Sequence, residues 1–252
     1  MASNPPGDCC IVGVKHEGTA TGQKVLVAGK HEGYLAVPPA DKEHKDIALL
    51  IVPDVFGIWI NSQLMADQFA ANGYKTLLLD VFDGDALDPN KPLNIDIMAW
   101  FAGGSDGKHP HTKEAVDPIV VDALKDLKEK YGAKKIGGLG YCFGAKYVAR
   151  HYKDGIDVGY FAHPSFVDED ELAAITGPLS IAAAEIDTIF PEDKRLKSDE
   201  ILKNSGLPYE IVLYPGVEHG FSVRGDVSVP LQKESKEKAF VQAVSWFNKH
   251  LA

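Results

Sequence analysis

No stretch of this sequence is apolar for long enough to cross a membrane; the longest run, Ile47 to Pro53, has the length of a strand. The residues Met1 to Asp8 are polar and carry no basic patch ahead of an apolar stretch, so no secretory leader is expected. Cysteine is scarce, with only Cys9, Cys10 and Cys142. An odd count excludes a fully paired disulfide framework and suits a reducing, cytoplasmic setting. Basic residues are outnumbered, 26 Lys and Arg against 36 Asp and Glu. The resulting net charge of -10 argues against nucleic acid or an anionic membrane surface as a partner, without excluding a local positive pocket. The densest basic run, Lys233 to Lys238, is interleaved with Glu234 and Glu237 and reads as a solvated helix face. There is no internal repeat or low-complexity tract. No Gly-x-Gly-x-x-Gly follows an early strand, which removes a dinucleotide-binding reading.

What is present is the composition of a packed globular chain: 252 residues, 45% hydrophobic and 25% charged, enough for one domain over 1–252. Short strands near Val25–Val27 and Tyr34–Val37, joined by turn residues from Gly29 to Gly33, predict a small N-terminal antiparallel β region. From Ile47 onward, strands alternate with helices. Strands are expected at Ile47–Val52, Lys75–Asp80, Lys134–Leu139, Val158–Phe161, Leu179–Ala184 and Tyr209–Tyr214. Between and after them the helical period predicts a helix capped by Asn61, then Ala115–Lys130, Ala145–Tyr152, Pro191–Asn204 and Pro230–Lys249. Asp83 to Pro92 reads as a polar loop, and Ile95 to Phe101 as a short amphipathic stretch of undecided type. The alternation implies an α/β fold with a mostly parallel sheet and helices on both faces.

Such folds place their sites at the carboxyl ends of strands. Cys142, Asp187 and His219 all fall there. Cys142 sits in Gly140-Tyr141-Cys142-Phe143-Gly144, between an apolar strand and a helix. A strand that turns this abruptly presents one side chain on a strained backbone, and bulk two residues to either side would clash; the two glycines meet that demand. Backbone N–H groups at the helix start can hold an oxyanion, and the local dipole favours a thiolate. The blander reading is a buried structural cysteine between packing glycines. Asp187 follows Cys142 by 45 residues and His219 follows Asp187 by 32, the order nucleophile, acid, histidine. The histidine would serve as base and acid, and the carboxylate would fix its tautomer. Glu185 and Asp193 compete for the acid role. His163 follows a strand and is a candidate for substrate contact. His109 and His111 have no third partner in the sequence, so no metal site is expected.

These segments, with Pro6-Gly-Asp-Cys-Cys10 and Gly140-Tyr-Cys-Phe-Gly144, resemble the dienelactone hydrolase family, its fungal branch in particular, from about Cys9 to the end of the chain. The resemblance implies an α/β-hydrolase fold without cofactor or metal that hydrolyses enol-lactones or small esters. It implies Cys142, Asp187 and His219 as catalytic residues and the N–H groups of Val55 and Phe143 as the oxyanion hole. Asp54 stands where the family carries a glutamate that holds the resting thiol. Bacterial members grip a substrate carboxylate with two arginines; here Arg224 lies near His219, and no arginine occurs before residue 150. Lys108, Lys113 and Lys146 are the substitutes to weigh. Trp59, Phe82, Tyr141 and Phe221 are expected to line an apolar pocket for a small lactone or ester, in a monomer or homodimer. The alternatives are a general small-ester or thioester hydrolase that does not act on dienelactones, and a non-catalytic binding protein on a hydrolase fold.

Overall fold

Buried parallel strands read as unbroken apolar runs because both faces are covered by helices, and Ile47–Val52 is such a strand, at the centre of the sheet. The computed structural model of the protein describes residues 1–90 and 95–251. In chain order the elements are β1 (Gln23–Val27), β2 (His31–Ala36), β3 (Ile47–Val52), α1 (Ile60–Ala71), β4 (Lys75–Leu79), α2 (Ile97–Gly103), α3 (Lys113–Glu129) and β5 (Lys135–Tyr141). There follow α4 (Gly144–Arg150), β6 (Val158–Ala162), α5 (Glu169–Ala173), β7 (Leu179–Ile186), α6 (Glu192–Ser205), β8 (Tyr209–Glu218), α7 (Phe221–Arg224) and α8 (Pro230–His250).

The eight strands form one sheet in the order β1-β2-β4-β3-β5-β6-β7-β8. β1 pairs with β2, and β2 with β4, antiparallel; every other pairing is parallel. This is the α/β-hydrolase fold, with a small antiparallel region at its N-terminal edge. Leu49, Ile136, Leu139, Ala182 and Ala183 are fully buried in the sheet, and Val120, Leu127, Ala239, Ala243 and Phe247 bring the apolar stripes of α3 and α8 onto it.

Several local expectations shift. Asn61 does not cap α1; Trp59 precedes the helix as its N-cap. The Asn61 amide instead accepts from His16 N at 2.8 Å and donates to Val14 O and Val223 O at 2.9 Å, so it clasps the N-terminal segment to α7. The undecided stretch near residue 100 is helical because Asp96 accepts from the N–H groups of Met98 and Ala99. β8 does not stop at Tyr214: past a register shift in β7, Ile186 pairs with Glu218 and carries the strand through Pro215 and Gly216. The short helices α5 and α7 have no periodic signature. Of the polar loop expected over Asp83 to Pro92, the last two residues lie outside the described ones.

The segment before β1 runs across the carboxyl end of the sheet. Ser3 N donates to Val167 O at 3.0 Å, Asn4 N to Ile189 O at 2.8 Å, and Val14 N to Arg224 O at 2.9 Å. A short 3-10 turn, Asp8–Ile11, thereby comes to rest at the ends of β5, β7 and β8.

Candidate active site

Cys142 directly follows β5 with φ +53°, a left-handed conformation that costs a non-glycine residue about 1–3 kcal/mol. The surroundings hold it there. Cys142 N donates to Ala162 O at 3.1 Å, and Cys142 O accepts from Ser165 N at 3.0 Å. The flanking glycines are sterically required: a Cβ on residue 140 would lie 2.5 Å from Ala145 Cα, and one on residue 144 only 1.9 Å from Val52 O. β5 can therefore turn straight into α4 only with glycine at both places.

Asp187 and His219 come to the same point from β7 and β8. His219 Nδ1 lies 2.9 Å from Asp187 Oδ2, and both side chains are buried. The other carboxylate oxygen, Oδ1, accepts from Ile189 N at 2.8 Å and Phe190 N at 3.0 Å, so Asp187 is held on both sides. Nε2 then faces the sulfurs: the donor atoms of His219, Cys142 and Cys10 all lie within 4.8 Å of one another. Glu185 is excluded from the acid role because it accepts from Gly216 N at the surface. Asp193 belongs to the first turn of α6.

The electrostatics follow from burial and charge. Burial opposes ionisation of Cys142, but hydrogen bonding with Cys10 and the His219 charge hold its thiol well below the usual range. Burial likewise works against the His219 cation, yet the Cys142 and Asp187 charges raise it to about 10. Both shifts favour a thiolate facing an imidazolium.

Sequence reasoning passed over Cys10. Its sulfur lies 3.4 Å from Cys142 Sγ and 3.5 Å from His219 Nε2. The contact between the two sulfurs lowers the Cys142 thiol and raises that of Cys10. The only signal was a Cys-Cys pair in a chain with few cysteines.

Asp54 does not hold the thiol. Its Oδ1 accepts from Phe56 N at 3.1 Å, and Oδ2 lies 3.3 Å from Arg224 Nη1. Burial pushes its carboxyl up to about 6, against the pull of Arg224. Arg224 is buried and donates through Nη1 to Cys10 O at 2.6 Å, while its Nε and Nη2 have no hydrogen-bond partner. Asp54→Ala would strand this guanidinium, and removing one partner of a buried pair costs about 3 kcal/mol or more. Urea unfolding should show that loss; a change below about 1 kcal/mol would mean the guanidinium had found another partner.

The N–H groups of Val55 and Phe143 are buried, and among the described residues neither donates to a protein acceptor. Buried donors left free are rare, and these two lie at the end of β3 and at the turn after Cys142.

The remaining candidates divide. Phe82 is buried against Phe143, Trp100 and His111. Trp59 packs on Phe56 and lines a cavity of about 380 Å³ with Leu87 and Ile58. Tyr141 faces a separate cavity of about 740 Å³ with Tyr160 and Ser222, away from the sulfur. His163 backs the catalytic ring, 4.9 Å from it and edge-on, with its Nε2 2.8 Å from Ser222 Oγ. Phe221 packs on His163 and Tyr214 and lines a cavity of about 450 Å³ that includes Cys9 and His219. Beside Phe143 lies an apolar pocket of about 270 Å³ formed by Met98, Phe101, Tyr147 and Phe166, with Lys113 and Lys146 among its lining residues. Lys146 is held by Asp168 and Glu171. His109 and His111 pair with Asp106 and Asp85 respectively and do not converge.

Known proteins agree with this fold. The profile of the dienelactone hydrolase family matches residues 31–251. Hydrolase tropI of Talaromyces stipitatus is 48% identical over 255 aligned residues, covering 100% of this chain and 99% of that protein. Hydrolase pyvD of Aspergillus violaceofuscus is 42% identical, again over 100% of this chain and 99% of the relative. A crystal structure from Klebsiella pneumoniae superposes with a TM-score of 0.71 at 18% identity, covering 91% of this chain and 98% of that one, which speaks to the fold. No helix among the described residues is long and apolar enough to cross a membrane. A match that spans nearly the whole chain, over a cysteine turn with its histidine and aspartate in place, makes this protein a member of the dienelactone hydrolase family.

Proposed function

We propose that this protein, acting as a single domain over residues 1–252, hydrolyses small lactones or esters through an acyl-enzyme on Cys142. The observation that carries the reading is the alignment of three groups: a strained Cys142, His219 within reach of its sulfur, and Asp187 on the far side of the ring. The thiolate attacks the carbonyl carbon. The free N–H groups of Val55 and Phe143 take the developing oxyanion, and preorganised donors of this kind are worth several kcal/mol in the transition state. His219, protonated at rest, gives its proton to the departing oxygen. In a lactone that oxygen stays tethered to the acyl group, so deacylation must outrun re-closure. His219, now neutral, draws a proton from water and releases the acid. An amide is a poor substrate because the thiolate, not the amine, leaves the tetrahedral intermediate more readily.

The small apolar pocket beside Phe143 supports an acyl group of few atoms. Arg224 meets Asp54 and Cys10 through Nη1 alone, its buried Nε and Nη2 having no hydrogen-bond partner, so a carboxylate-bearing substrate would compete with Asp54 for this guanidinium or turn to Lys113. A panel of short aryl esters against an enol-lactone carrying a carboxylate tests this: we expect the uncharged esters to turn over at least as well. A strong preference for the anionic lactone would overturn the assignment of Arg224 as an internal group. We place the protein in the cytoplasm, as a monomer or homodimer.

The ion pair also fixes the pH profile. With the Cys142 thiol depressed and His219 raised to about 10, the reactive form spans the neutral range. The kcat/KM for an aryl ester should be flat across neutrality and fall only near pH 10, as His219 loses its proton. A profile that instead climbs through about pH 8.5, the range of an ordinary thiol, would show that Cys142 rests as a neutral thiol.

A further inference from the structure

We infer that Cys10, Cys142 and His219 form a binding site for a thiophilic divalent cation of the zinc class, and that occupancy of this site silences the hydrolytic thiol. The two sulfurs are 3.4 Å apart, Cys10 Sγ lies 3.5 Å from His219 Nε2, and all three donor atoms fall within 4.8 Å of one another. A tetrahedral ion with bonds of about 2.3 Å to sulfur and about 2.0–2.1 Å to nitrogen sets its donors roughly 3.5–3.8 Å apart. The Cys10 sulfur is thus already at about that spacing from both partners, and Cys142 Sγ and His219 Nε2, within 4.8 Å of each other, need at most about 1 Å of adjustment. Two sulfurs and an imidazole select zinc-like ions over magnesium or calcium, which require oxygen.

The surroundings match as well. Asp187 on Nδ1 is the carboxylate partner that orients a ligating histidine and leaves the Nε2 lone pair pointing outward. Cys10 is not free to swing away, because Arg224 holds its carbonyl at 2.6 Å. The guanidinium charge that would repel a cation is offset by Asp54 at 3.3 Å. The remaining difficulty is the sulfurs themselves. Hydrogen bonding with Cys142 and Cys9, together with burial, keeps the Cys10 thiol well above its usual range. Two buried thiolates in contact repel each other unless a positive ion stands between them.

The proton balance is definite. At rest Cys10 carries one proton, and Cys142 and His219 share another. The ion forms two metal–sulfur bonds and one metal–nitrogen bond, displaces both protons to solvent, and changes no oxidation state. The nucleophile's electron pair and the base are then both occupied.

The test uses the full reduced, metal-free chain with Co²⁺ as probe. We expect visible bands of tetrahedral Co²⁺ and near-ultraviolet charge transfer from two thiolates, saturating at one ion per chain. Calorimetry in buffers of different ionisation enthalpy should count two protons released per ion. Zn²⁺ should displace Co²⁺, and Cys10→Ser should weaken binding at least about 100-fold and halve the charge-transfer intensity. Absence of tetrahedral bands, release of a single proton, or unchanged binding in Cys10→Ser would overturn the site. The proton count is made on the unaltered protein, so it decides even if the serine variant misfolds. Inhibition of ester turnover by Zn²⁺, reversed by a chelator, rests on the hydrolase reading, whereas the spectrum and the proton count do not. Bands in a protein inactive on every ester would sink the hydrolase reading alone, and turnover without bands would sink the metal site alone.

Discussion

Replacing Cys142 by alanine should lower kcat/KM for an activated aryl ester by at least about 10,000-fold, because removal of a covalent nucleophile leaves only binding and the oxyanion donors at work. The sulfur makes the bond on which both half-reactions depend. The neighbours cannot replace it without rebuilding the site: Cys10 Sγ is 3.4 Å away on a segment held by Arg224, and Ser165 Oγ is 3.5 Å away. The fold should survive, since one buried sulfur is lost from a position whose backbone is held by β6 and by Ser165. Steady-state rates and thermal melts on the same preparation read both quantities. The wild-type protein quenched in acid during turnover should carry the acyl mass, and the alanine variant should not. Activity retained within tenfold would mean that another group is the nucleophile, and Cys10 would be the first to examine.

The second large effect is on stability. Gly144→Ala places a methyl group 1.9 Å from Val52 O and 2.6 Å from Val52 C. The obstacle is backbone, in the central strand, so no rotamer change relieves it. α4 and β3 must separate, which opens the buried centre of the sheet and displaces Val55 and Phe143 from each other. Losses above about 4 kcal/mol are rare for one substitution, but they are expected here. Against a total of about 5–15 kcal/mol, the variant should collect as insoluble protein or melt roughly 10 °C or more below the parent. Gly103→Ala is the control: nothing lies within 4 Å of its added Cβ, and its stability should change by less than about 1 kcal/mol. If both variants melt alike, the close approach of α4 to β3 is wrong.

The two halves of the molecule differed in how legible they were. The parallel strands were readable because Ile47–Val52 and Leu179–Ala184 are buried on both faces, and such burial writes itself into the chain as continuous apolar residues. Cys142, Asp187 and His219 were readable because each follows a strand that announces itself and because the turn around Cys142 excludes bulk at Gly140 and Gly144. What stayed hidden was decided by contacts between distant residues. Cys10 lies 132 positions from Cys142, and the Cys9-Cys10 pair does not say which distant groups its sulfur meets. Arg224 looked like a substrate anchor by proximity to His219, and nothing short of coordinates shows it turned inward onto Asp54. Asp54 sits where the family resemblance puts a thiol-facing carboxylate, but with one methylene fewer it pairs with Arg224 instead. The helices α5 and α7, of five and four residues, are too short to carry a period and are shaped by the packing around them.

The path of the N-terminal segment has a consequence for how the protein comes into being. Cys10 leaves the ribosome 214 residues before the Arg224 side chain that will hold its carbonyl, and β8 with His219 is also among the last parts to emerge. During that interval the early thiols are uncovered while the central strands assemble. Maturation of the reactive centre is thus a late, long-range closure, and a chain stalled before α7 would carry its sulfurs exposed to whatever thiol chemistry the cell holds.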